Sequence, residues 1–155
     1  VVKKGRDTFE KTINVAYKNN AGLSDDDRKF QYETVMKLFN MTEELAYMVY
    51  VIDELISNEN TDDQISSKLN ELKKSLVITT GDNYVGAAKK QLREKMADLY
   101  SKVASSYDKP SANELDNLAL IEEEMKSVNK RYSKIIKKIK PELMPEKTFD
   151  DFINE

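Results

Sequence analysis

The stretch SDDDRKFQYETVMKLFNMTEELAYMVYVIDELIS, residues 24–57, decides the fold. Ser24 stands directly ahead of three acidic residues, Asp25, Asp26 and Asp27. A serine hydroxyl caps the free amides of a helix start, and carboxylates are favoured at the positive end of the helix dipole. Behind this start Leu38, Met41, Leu45, Met48, Ile52 and Leu55 recur at three-four spacing, and Val35, Phe39, Ala46, Val49 and Ile56 widen the stripe. The pattern predicts a helix from Ser24 to about Ser57, a rod of roughly 50 Å at 1.5 Å per residue, whose apolar face is broad enough for more than one neighbour.

Three further helices follow. Thr61 with Gln64 has the form of a capping box, ahead of an apolar stripe of Ile65, Leu69, Leu72 and Leu76; Lys73 is expected on the outer face. Two glycines in Gly81-Asp82-Asn83-Tyr84-Val85-Gly86 interrupt the pattern, and Leu92, Met96, Leu99 and Val103 resume it. Asp108-Lys109-Pro110 ends the third helix. Ser111 with Glu114 then caps a fourth, in which Leu118, Ile121, Met125, Val128, Tyr132, Ile135 and Ile139 keep three-four spacing until Pro141 stops it. The tail carries Leu143, Met144, Phe149, Phe152 and Ile153, enough apolar surface to dock on the helices. Four seams with short connections predict an all-α, up-and-down antiparallel bundle of about four helices. The alternative is a three-helix layout in which the second and third helices form one interrupted rod.

Ahead of the helices, Thr8 to Tyr17 is rich in β-branched and aromatic residues, with Phe9, Ile13, Val15 and Tyr17 on one side at period two. This predicts a short N-terminal β-strand, or a hairpin with Val1 and Val2 turning at Gly5; a helical turn through Phe9, Ile13 and Ala16 is the competing pattern. Residues 1–22 are accordingly expected to be a strand arm carried over from a preceding domain, and residues 23–155 the helical domain.

Composition narrows function further. The 155 residues include 25 basic and 28 acidic ones, a net charge of −3, spread along the chain with no single-sign block large enough to steer a polyanion or an anionic membrane. Nucleic acid is not an expected partner. No stretch approaches the roughly 20 apolar residues needed to cross a bilayer. There is no cysteine and no histidine, which removes the thiolate nucleophile, the commonest general base and the commonest metal ligand together. No catalytic residue, metal site or cofactor is expected.

Four groupings still invite a chemical role. Asp25 to Asp27, Asp62-Asp63 and Glu122-Glu123-Glu124 are the only material for an all-carboxylate site, and the first two fit helix caps. The glycines of residues 81–86 have phosphate-loop spacing, but Ala87 and Ala88 stand where a lysine and a hydroxyl are required. Lys130, Arg131, Lys134, Lys137, Lys138 and Lys140 gather near a helix C-terminus, where cations are favoured by the dipole alone. Tyr47, Tyr50, Tyr100 and Tyr107 could line a sugar-binding face, although boundary tyrosines are common in bundles.

The segment Thr8-Phe9-Glu10-Lys11-Thr12-Ile13-Asn14-Val15, then Gln91-Leu92-Arg93-Glu94-Lys95-Met96-Ala97-Asp98-Leu99-Tyr100 and Ser105-Ser106-Tyr107-Asp108-Lys109-Pro110-Ser111, resembles the C-terminal region of bacterial sortilin-like, BNR/Asp-box repeat proteins of the glycosyl-hydrolase kind. In that family a propeller is followed by a small β-segment and a helical region. The resemblance implies a non-catalytic accessory domain of a larger exported protein, packed on its preceding β-domain or on a second copy of itself, with no catalytic residue carried over. The family's Asp-Pro-Arg-like step after the strand is replaced here by Lys18-Asn19-Asn20-Ala21. The alternative is a free-standing helical binding module for a protein or polysaccharide.

Overall fold

The structure is a computed structural model that describes residues 2–4, 7–13, 23–78 and 89–154. Two short strands, β1 (Val2–Lys4) and β2 (Asp7–Phe9), pair antiparallel with Lys3 opposite Thr8. Of the expected Thr8–Tyr17 strand only Thr8 and Phe9 lie in β2. Residues 10–13 carry no regular structure, Ile13 is exposed, and residues 14–17 lie outside the described ones.

The rest is helical: α1 (Asp25–Ser57), α2 (Asp63–Leu76), α3 (Leu92–Ser105), α4 (Ala112–Ile136) and a single-turn α5 (Phe149–Ile153), with a 3-10 turn at Pro141–Leu143. Ser24 caps α1 as expected, its hydroxyl accepting from the Asp27 amide at 3.1 Å. Ser111 and Glu114 form the capping box of α4, with the Glu114 amide donating to the Ser111 hydroxyl and the Ser111 amide donating back to the Glu114 carboxylate at 2.8 Å. The start of α2 differs from expectation. Asp62, not Thr61, is its cap, accepting from the amides of Gln64 at 2.9 Å and Ile65 at 3.2 Å. Thr61 is instead turned inward and buried, and its hydroxyl has no hydrogen-bond partner.

The helices are arranged as three rods, not as an up-and-down four-helix bundle. The carboxylate of Glu122 on α4 takes the ammonium of Lys37 on α1 at 2.6 Å. Seven residues further along both helices, Asn129 donates to Glu44 at 2.9 Å. α1 and α4 therefore run parallel. Gln31 near the start of α1 donates to the carbonyls of Val103 and Ser106 at the end of α3, both at 2.8 Å, while Thr42 meets Met96. So α3 runs antiparallel along the N-terminal half of α1. The tight connection after Ser57 folds α2 back along the C-terminal half, where Lys73 pairs with Asp53. Lys73 is thus half-buried against α1 and not on the outer face.

Length explains this layout. α2 and α3 have 14 residues each and α1 has 33, so at 1.5 Å per residue the two short helices laid end to end span about 42 Å, close to the roughly 50 Å of α1. Either short helix alone would leave half of the α1 seam in water. With both in line, Leu45, Met48, Val51, Ile52 and Leu55 of α1 are buried against Leu69, Leu72 and Leu76 of α2, Leu92, Met96 and Val103 of α3, and Leu118, Ile121, Met125 and Val128 of α4 in one continuous core. Tyr132, Ile135 and Ile139 are only partly buried at its edge, and α4 ends at Ile136, one turn earlier than the stripe suggests.

The tail docks. Leu143 and Met144 pack against the core, and α5 sets Phe149 and Phe152 against α1. Tyr47 meets both rings edge-on, at 5.5 and 5.6 Å, and Tyr50 stacks on Phe152 at 5.3 Å. Among the described residues no helix is long and apolar enough to cross a membrane.

Candidate functional site: a groove between α3 and α4

The antiparallel crossing of α3 and α4 leaves an open groove of about 440 Å³. Leu99, Leu120 and Ile121 supply its apolar surface. Leu99 and Ile121 belong to the core stripes of their helices and are buried, whereas Leu120 stands 63% exposed. Most of its charged lining is tied up within the protein: Lys95 of α3 pairs with Glu124 of α4 at 2.6 Å, Lys90 pairs with Asp98, and Lys102 adds a positive charge that acts on Glu114. At one end Glu114 is held by the Ser111 amide and hydroxyl, which keep its carboxyl below the usual carboxylate range. The groove therefore offers apolar surface framed by mutually neutralised charge. That is suited to burying a complementary segment, and it presents no nucleophile beside a base.

The groupings singled out in the sequence do not converge on it, with one exception. Glu124 lines the groove, Glu122 faces Lys37 on the opposite side of α4, and Glu123 is exposed. Asp27 is engaged by Ser24, which lowers its carboxyl, and lies 3.8 Å from Lys109. Asp62 caps α2. Among the described residues no three His, Cys, Asp or Glu side chains come together closely enough to hold a metal ion. Gly81 to Gly86 lie outside the described residues. The six basic residues from Lys130 to Lys140 are all exposed along the end of α4.

The four tyrosines do not form one face. Tyr47 and Tyr50 lie together, ring centroids 6.1 Å apart, beneath the tail, while Tyr100 and Tyr107 belong to α3 and the loop after it, beside the other half of α1. Burial pushes the neighbouring Tyr132 phenol up to about 12, with Tyr47 adding to the effect. The residues that build the groove, Lys90, Asp98 and Leu120, carry one signal in the sequence: Leu120 is an apolar residue off the Leu118-Ile121-Met125 stripe, a leucine with no place in the core.

No protein-family model, curated protein or solved structure matches this chain.

Proposed function

We propose that the chain is a non-catalytic helical accessory domain that binds a protein surface, and that the α3–α4 groove is its contact site. The observation that supports this is the exposed Leu120 beside Leu99 and Ile121 in a groove whose charged groups already neutralise one another. Such a surface gains by burying apolar area and offers little electrostatic steering. The resemblance to sortilin-like, Asp-box proteins extends the proposal: the surface bound would be the preceding β-domain of a larger exported, glycosyl-hydrolase-like protein. A free-standing module for a protein partner would use the same groove. A polysaccharide partner is less favoured, because the tail covers Tyr47 and Tyr50.

The test is to extend the chain on its N-terminal side as its gene encodes it, and to compare amide exchange with the 155-residue form. Protection of residues 113–121 in the longer protein, reversed by Leu120→Lys, supports the accessory domain. Unchanged exchange, or an initiator methionine immediately ahead of Val1, would leave the free-standing module.

A further inference from the structure

The long helix carries a second seam. Besides its buried stripe, α1 places Lys29, Tyr32, Met36, Phe39 and Glu43 at alternating steps of three and four residues, the spacing of a helix-pairing stripe. Tyr32 and Phe39 are 63% and 43% exposed, large apolar side chains left in water in the N-terminal half of the protein's longest element. By helical geometry Phe39 lies roughly 160° around α1 from Lys37, the residue that meets α4, so the stripe is on the side away from α4. Two heptad steps beyond Met36 the same stripe reaches Tyr50, and there it is already covered, by Phe152 of the tail. The N-terminal half of the seam has no such cover among the described residues.

The order of residues along the stripe identifies what fits it. Met36 is at the centre, an aromatic ring lies on each side of it, and the two ends carry opposite charge seven residues away: Lys29 before and Glu43 after. A stripe of this kind is complementary to itself when reversed. Two copies paired parallel would set lysine against lysine and glutamate against glutamate. Paired antiparallel, each Lys29 meets a Glu43 and the rings of Tyr32 and Phe39 face each other. Self-complementarity of one patch about a two-fold axis is what an isologous dimer requires.

We propose that α1 pairs antiparallel with α1 of a second copy, about a two-fold axis near Met36, with Lys29 of each chain against Glu43 of the other. The surface is separate from the α3–α4 groove and does not depend on what the groove binds. Lys29 is 3.9 Å from Glu33 of its own helix with its side chain 75% exposed, a loose pair that leaves the ammonium able to reach across. The rest of the bundle is not rearranged by the contact, because the buried stripe and the outer one face different directions.

Sedimentation equilibrium at high micromolar concentration tests this, with circular dichroism as a check that each variant is folded. The unmodified chain should have twice the 17.9 kDa monomer mass, and Phe39→Glu should return it to one. Lys29→Glu should weaken the dimer at low salt, and adding Glu43→Lys in the same chain should restore it. Because the chain has no cysteine, Met36→Cys introduces a single thiol at the axis, which should oxidise rapidly to a disulfide-linked dimer. A monomeric unmodified chain overturns the proposal. So does a dimer that persists in Phe39→Glu, which would place the contact elsewhere, or a charge exchange that fails to rescue.

Discussion

The phenol of Tyr47 on α1 donates to the backbone carbonyl of Lys147 at 3.1 Å, fastening the C-terminal tail to the longest helix. Two phenylalanines close over the same ring, and the ammonium of Lys147 lies 5.4 Å from the Phe152 ring centre. A five-residue helix such as α5 has no stability of its own. Its position comes from these contacts. Phe152→Ala should therefore cost about 1–2 kcal/mol, below the roughly 3–5 of a fully buried phenylalanine because the ring is only partly buried. The tyrosine near-ultraviolet dichroism should fall while the helical signal is kept. Loss of helical signal along with it would mean the tail supports the whole core.

Thr61 gives a sharper test of local structure. Its hydroxyl is buried without a partner, so Thr61→Val, which keeps the shape and removes the polar group, should be neutral or stabilising. Asp62→Ala should cost about 1 kcal/mol, as loss of a helix cap does. Thermal melts of the two variants check this. The reverse order of effects would make Thr61 the true cap.

Tyr132 predicts behaviour in alkali. Its phenol has a folded-state value of about 12, raised by burial from an ordinary 10.0. The folded chain therefore holds this proton more tightly than the unfolded chain. The stability this brings is complete below pH 10 and is lost as the pH rises toward 12. Tyr132→Phe should unfold less steeply with pH across that window in denaturant titrations. Identical pH slopes for the two proteins would show that the ring is hydrated.

At the acid end the sign reverses. Ser111 holds the Glu114 carboxyl below its ordinary value, as Ser24 does for Asp27 and Thr148 for Asp151. These carboxylates favour the folded form above their unfolded pKa, and that contribution is lost as pH falls through the lowered folded values. Ser111→Ala should cost about 1 kcal/mol at neutral pH and less in strong acid, measured by urea denaturation at both. A cost that does not change with pH would argue that the hydroxyl alone caps α4.

Much of this architecture is legible in the residues. Ser24 and the three-four run to Ser57 mark α1 at both ends, because a capping hydroxyl, a charge-favoured first turn and an unbroken apolar period all agree. The core faces of α3 and α4 follow the same logic. What periodicity does not carry is partner choice: a stripe says which side of a helix is buried, not which other stripe buries it. Chain length decides that, since two helices of 14 residues match one of 33 only when laid in line. Thr61 and Asp62 fail for a different reason. Adjacent residues offer two overlapping caps, and the burial of Thr61 against the bundle selects Asp62. The groove is hardly visible, because Leu120 is its only signal and a single exposed leucine is ordinary.

The end-to-end placement of α2 and α3 beside α1 fixes where the groove opens and leaves the outer seam of α1 clear. With no native cysteine, spin labels can be placed at will. Ser67→Cys on α2 and Ser101→Cys on α3 are both exposed. End-to-end helices should separate the two labels by about 35–40 Å, from 1.5 Å of rise per residue along α1. An up-and-down hairpin of the same helices would bring those positions level, at about 10 Å between neighbouring axes. A pulsed dipolar measurement near the longer distance is the predicted result, and one near the shorter would contradict the three-rod arrangement.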